Sequence, residues 1–159
     1  MAIDIHLEAA RAVGEEEMLA FFGRAADATL MDPDGSRYLR TPGMDITPFA
    51  IGPDDPDEYE YRLTALGFRR RVLVIFRLRN LATEDETAEA ERQIVTSALE
   101  FLSTYESDGV LLHYGEYVML ERRNGEVTID SGLEAFMENP LLTEALADYP
   151  HRKLRQPFQ

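Results

Sequence analysis

The chain of 159 residues contains no cysteine, which excludes disulfide frameworks, thiolate metal sites and cysteine nucleophiles together. Histidine is scarce. His6, His113 and His151 stand far apart, and none has a metal-ligand spacing such as HExxH. His6 and His113 each fall on an expected strand and could meet in space, although a surface or hydrogen-bonded role is the preferred reading. No GxSxG elbow, P-loop or GxGxxG fingerprint occurs. Carboxylates are so numerous that some pair must lie close by chance, so paired acids carry little weight as a glycosidase or metal signature. No catalytic residue, metal ligand or cofactor is therefore assigned.

Long apolar runs are also missing. Nothing approaches the length of a membrane span. Met1-Ala2-Ile3-Asp4-Ile5-His6 lacks the positively charged region and apolar stretch of a secretory signal, so the expected address is the cytoplasm.

What the chain has in excess is negative charge. Thirty acidic residues face sixteen basic ones, for a net charge of −14. The tail runs against this trend, with Arg152, Lys153 and Arg155 and no acid from His151 to Gln159. A field of this sign repels phosphate backbones and attracts cationic partners, so neither a nucleic acid nor a membrane is an expected partner. The same charge also serves solubility. With 45% apolar and 29% charged residues the chain is of globular type. Its length fits one domain over residues 1–159 with a core large enough to need no staples.

The most apolar stretch, Val72-Leu73-Val74-Ile75-Phe76, is bracketed by Arg69, Arg70, Arg71, Arg77 and Arg79. Its middle is apolar on both faces, as in the interior of a sheet, and the segment near 70–78 is the expected central strand. Arg77 there either pairs with a carboxylate (Asp4, Glu8, Glu116 or Glu121) or reaches water at the strand end. Arg69-Arg70-Arg71 reads as an exposed turn, with an anion site as the other reading.

Before that strand, Ala2–Glu8 alternates as an amphipathic, half-buried strand. A helix is expected from Gly14 to Ala26, with Glu15, Glu16 and Glu17 in its first turn and a core stripe of Met18, Phe21, Phe22 and Ala25. Short strands at Ala28–Met31 and Ser36–Arg40 flank a β-turn at Asp32-Pro33-Asp34-Gly35, which lacks the later ligands of a calcium loop. A further strand spans Met44–Ile51, where Pro48 belongs at an edge or bulge.

Residues 55–66 admit two readings. Alternation from Glu58 to Ala65 suggests a strand, whereas Asp55 as N-cap, Pro56 at the first helical position and Gly67 beyond the end suggest a short helix, which is the preferred reading. The acidic run Asp54, Asp55, Asp57, Glu58 and Glu60 is the candidate partner-binding surface, or else a solvated loop.

After the central strand, Thr83 and Glu86 form a capping box opening a long helix near 84–106. A β-meander near 110–130 follows, turning at Gly115-Glu116 and at Asn124-Gly125, a type I′ hairpin signal. Short helical pieces at Leu133–Met137 and Leu141–Tyr149 close the chain. The expected fold is a mostly antiparallel α+β domain ordered β-α-β-β-β-α-β-α-β-β-β.

The features from Phe68 to Ser131 resemble those of the Sit-type immunity proteins, which accompany lipoprotein toxins exchanged between kin bacteria and protect the producer. The resemblance rests on Gly67-Phe68-Arg69, Phe76-Arg77-Leu78, the long helix, Asp108-Gly109-Val110-Leu111-Leu112, Gly115-Glu116, Val118-Met119-Leu120 and Arg123-Asn124-Gly125. It implies a non-enzymatic protein that binds and neutralises a cognate toxin. The acidic charge suits a basic toxin. Two other classes stay open: a small-molecule-binding domain or enzyme with a pocket between sheet and helices, and a subunit whose fold serves assembly.

Overall fold

In the computed structural model, which describes residues 2–55 and 60–159, the N-terminal alternation becomes β1 (Asp4–Ala9). The helix α1 (Glu15–Ala25) follows, then β2 (Thr29–Met31), β3 (Tyr38–Arg40) and β4 (Met44–Ala50). Next come α2 (Glu60–Leu66), β5 (Val72–Leu78), α3 (Glu84–Thr104), β6 (Gly109–His113), β7 (Tyr117–Arg123) and β8 (Glu126–Asp130). The chain closes with α4 (Leu133–Met137), α5 (Pro140–Ala145) and β9 (His151–Arg152). The fold is α+β, and apart from the short β9 its element order is the expected one.

The strands form one open sheet in the order β2-β3-β4-β5-β1-β6-β7-β8-β9. All of these pairings are antiparallel except β8 with β9. β5 is interior, as its doubly apolar middle requires, but the strand in the middle of the sheet is β1, which pairs with β5 on one side and β6 on the other.

One face carries the main core. The even residues Val72, Val74 and Phe76 of β5 are fully buried, as are Ile5 and Leu7 of β1. α1 and α3 cover them. Phe22 stacks on Phe101 at 5.4 Å and 17° and meets Phe76 edge-on at 5.7 Å, so the α1 stripe joins α3 to β5. α3 begins with the expected capping box: the Thr83 hydroxyl accepts from the Glu86 N–H at 3.1 Å, and the Glu86 carboxylate accepts from the Thr83 N–H at 2.9 Å. Where α3 crosses β6, a Cβ at Gly109 would overlap the Leu102 side chain and approach the Glu8 carbonyl to 2.9 Å. Glycine allows that close approach.

One local reading of turn chemistry holds as it stands. Asn124 and Gly125 adopt φ of 51° and 83°, the pair of left-handed residues a type I′ hairpin requires. Pro48 sits on an interior strand, yet at a harmless position. Only Ile46 and Asp45 of β4 pair with β3, and Pro48 lies beyond the end of that pairing with its nitrogen on the side away from β5. The Asp32–Gly35 turn is displaced by one residue, its closing bond running from the Ser36 N–H to the Pro33 carbonyl at 3.0 Å.

The second face of the sheet is covered only in part. α2, Phe68 and the C-terminal tail bury Val110, Leu112 and Val118, with Leu66 and Leu154 inside the same cluster. Toward β4 the face is open: Phe49 is 44% exposed beside Ile75 and Arg77.

Candidate interaction site

The residue that most clearly departs from its sequence pattern is Glu8. Alternation places it with Asp4 and His6 on the polar face of β1, but its side chain is completely buried. The reason is the partial second layer. α2 brings Arg62 over this end of β1, where its Nε donates to Glu8 Oε1 at 2.9 Å and its Nη2 to Oε2. Arg70 Nη1 donates to Oε1 as well. Both guanidinium side chains are themselves largely buried, at 14% and 13% exposure. An unpaired carboxylate at this position would be very costly, and the bidentate arginine supplies both charge and geometry.

This corrects the reading of Arg69-Arg70-Arg71 as an exposed turn. Only Arg69 is exposed. Pairing with β1 already begins at Arg71, whose N–H donates to the Ala9 carbonyl at 2.8 Å, and this docks the segment against Glu8. Arg71 is half-buried, and its Nη1 is buried without a hydrogen-bond partner.

Arg77, by contrast, is 57% exposed and holds Asp4 in a bidentate pair at 2.7 and 2.8 Å across the β1–β5 register. Both parts of the expectation for Arg77 therefore apply, with Asp4 as the carboxylate. The hydrogen bond to Arg77 holds the Asp4 carboxyl below its ordinary range. Glu121 instead takes Arg123 at 3.2 Å.

The histidines do not converge. His113 is the cross-strand partner of Ile5 and so shares its face, where its ring meets Phe136 at 4.9 Å. His6 points to the other face. Burial holds both below their ordinary value, against the pull of Glu8 and Asp4 in the case of His6. His151 lies apart, 2.8 Å from the Tyr149 carbonyl. Among the described residues no group of three or more His, Asp or Glu side chains could hold a metal ion.

The acidic run is placed in part. Asp54 is exposed and Asp55 half-buried in the turn after β4, where the Asp55 N–H bonds the Gly52 carbonyl at 3.2 Å. Glu60 opens α2, which agrees with the helical reading of 55–66 for its second half. Asp57, Glu58 and the side chain of Glu60 lie outside the described residues.

Between the sheet and α1/α3 the space is filled by Phe22, Phe76, Phe101 and their neighbours. One cleft of about 710 Å³ lies outside that core, between the start of α3 and Asn139, and others open on the second face. One of about 240 Å³ is lined by Leu66, Val110 and Val118. A wider one of about 750 Å³ is bounded by His6, Arg62, Arg70, Leu73 and Phe158. The Glu8–arginine cluster at its floor is the feature that sequence reading missed. Its signal was the presence of Arg62 and Arg70 shortly before an apolar strand, which does not by itself reveal which carboxylate they share.

Among the described residues no helix is long and apolar enough to cross a membrane. The model of the SitI3-like family matches residues 3–140, most of the chain and well beyond the stretch that carries the resemblance in the sequence. No curated protein and no solved structure matches. The chain belongs to the SitI3-like family of immunity proteins.

Proposed function

We propose that the protein binds a cognate bacterial toxin directly and neutralises it as a stoichiometric, non-catalytic inhibitor. The observation that carries this reading is the family match over residues 3–140. The net charge of −14 supports a basic partner, since complementary fields speed encounter and reject partners of like charge. The acidic run Asp54, Asp55, Asp57, Glu58 and Glu60 is the proposed contact surface. Asp54 is exposed to solvent in the turn after β4, accessible to a partner.

The test is co-expression with the toxin-like gene encoded beside it. Rescue of growth and co-purification as a complex are expected. Unrescued growth with no complex contradicts the proposal.

One observation favours a second reading. The cleft of about 750 Å³ on the second face combines apolar walls, Leu73 and Phe158, with the polar His6, Arg62 and Arg70, the composition of a small-ligand site. A screen of small metabolites by thermal shift separates the two, because a ligand seated there raises the melting temperature without any protein partner.

A further inference from the structure

α2 spans only seven residues, too few to be stable alone in water, so what fastens it to the sheet decides whether it exists. One fastening is its C-terminal end, where Arg123 Nη1 donates to the Leu66 carbonyl while its guanidinium lies 5.4 Å over the Phe68 ring. The other is Arg62. Its guanidinium bonds the buried Glu8 carboxylate along one edge and lies over the ring of Phe158, 4.8 Å from the ring centroid.

Phe158 belongs to a tail that is itself tied down at every second residue. After β9 pairs with β8, the Leu154 N–H donates to Asp130 Oδ1 at 2.9 Å and the Leu154 side chain is buried. The Gln156 side chain then imitates a strand: its Oε1 accepts from the Val118 N–H at 2.7 Å and its Nε2 donates to the Val118 carbonyl at 3.1 Å. Phe158 follows. The intervening Lys153 and Arg155 are exposed. Residues 153–156 therefore run along the second face, a turn closed by the Gln159 N–H on the Gln156 carbonyl at 3.4 Å then brings Phe158 over Arg62, and the whole segment lies beyond the family-matched residues 3–140.

We propose that residues 154–158 form a strap that locks α2 onto the sheet through the relay Glu8–Arg62–Phe158, with Phe158 and Gln156 as positioning residues for α2 as a partner surface. The positioning half rests on the immunity reading above; the strap itself does not. Phe158 excludes water from the Arg62–Glu8 contact and holds the guanidinium by its face. Gln156 fixes the tail so that the ring arrives there. The strap and α2 therefore hold or release together.

The experiment is hydrogen exchange on the full chain, comparing wild type with Phe158→Ala and Phe158→Trp. Phe158→Ala speeds exchange of the α2 amides roughly tenfold and leaves β1 and β5 at the wild-type rate, while Phe158→Trp, which keeps a face for Arg62, restores protection. Unchanged exchange in α2, or equal loosening of α2 and the central strands, overturns the strap. A second arm measures affinity for the co-purified toxin. Phe158→Ala weakens it several-fold without change in melting temperature, and Phe158→Trp recovers it. Equal affinity of wild type and Phe158→Ala overturns the positioning role. Absence of binding by wild type overturns the immunity reading, while the exchange result still decides the strap.

Discussion

Glu8 and Arg62, 54 residues apart in sequence, meet at the centre of the second face, and the carboxylate there has no exposure to solvent. Two arginines share it, so its removal strands two partly buried cations in place of one buried anion. Glu8→Gln keeps the volume and one acceptor but deletes the charge. It should destabilise the fold by about 3 kcal/mol. Urea unfolding followed by circular dichroism measures this, and a change below about 0.5 kcal/mol would mean that the cluster is solvated in solution.

Packing on the other face predicts a different sensitivity. Gly109 lies where α3 touches β6, and any side chain there meets Leu102 and the backbone of Glu8. Gly109→Ala should cost about 2 kcal/mol through forced displacement of α3, despite the gain in strand propensity. The same unfolding assay detects it.

How much of this was legible in the sequence follows from the reach of each signal. Val72–Leu78 was identifiable as an interior strand because its apolar run is doubly sided, and α3 because Thr83, Glu86 and its periodic stripe agree locally. Glu8 was not legible. Strand periodicity states which residues share a face, but not whether a second layer covers that face, and the covering layer here comes from α2 and from Phe158 at the far end of the chain. For the same reason Arg70 read as exposed: its partner is set by long-range register. The tail read as a basic extension, because the alternation of Leu154, Gln156 and Phe158 is too short to separate from chance.

Glu91 gives a pH-dependent prediction. It stands on α3 with its carboxylate accepting a hydrogen bond from Asn139 Nδ2 at 3.2 Å. Burial pushes its carboxyl up from 4.5 to about 6, the Asn139 contact opposing that shift. A folded-state value above the unfolded one means that the folded protein holds the proton more tightly. The charged form is thus a penalty absent below pH 4.5, growing through the window up to about 6 and fully present above it. Partial exposure reduces that penalty to on the order of 1 kcal/mol. Glu91→Gln should match wild type near the bottom of the window and exceed it in stability at neutral pH. Paired melting curves at the two pH values read the crossover, and parallel curves would refute it.

All of the strand pairings belong to one continuous sheet, and β1, the middle strand, joins its two halves by pairing with β5 and with β6. We propose on this basis that residues 1–159 unfold as a single cooperative domain. Calorimetry should return equal calorimetric and van't Hoff enthalpies, whereas a clearly larger calorimetric value would reveal independent units.

The proposed function requires direct, charge-steered binding of a basic toxin. Isothermal titration of the purified protein with its neighbouring toxin, at low and at high salt, tests this most directly. The expected result is a one-to-one complex whose association weakens as salt rises, with a further loss when Asp54 and Asp55 are changed to asparagine. No heat of binding at either salt concentration, or binding that neither salt nor these substitutions affect, would contradict it.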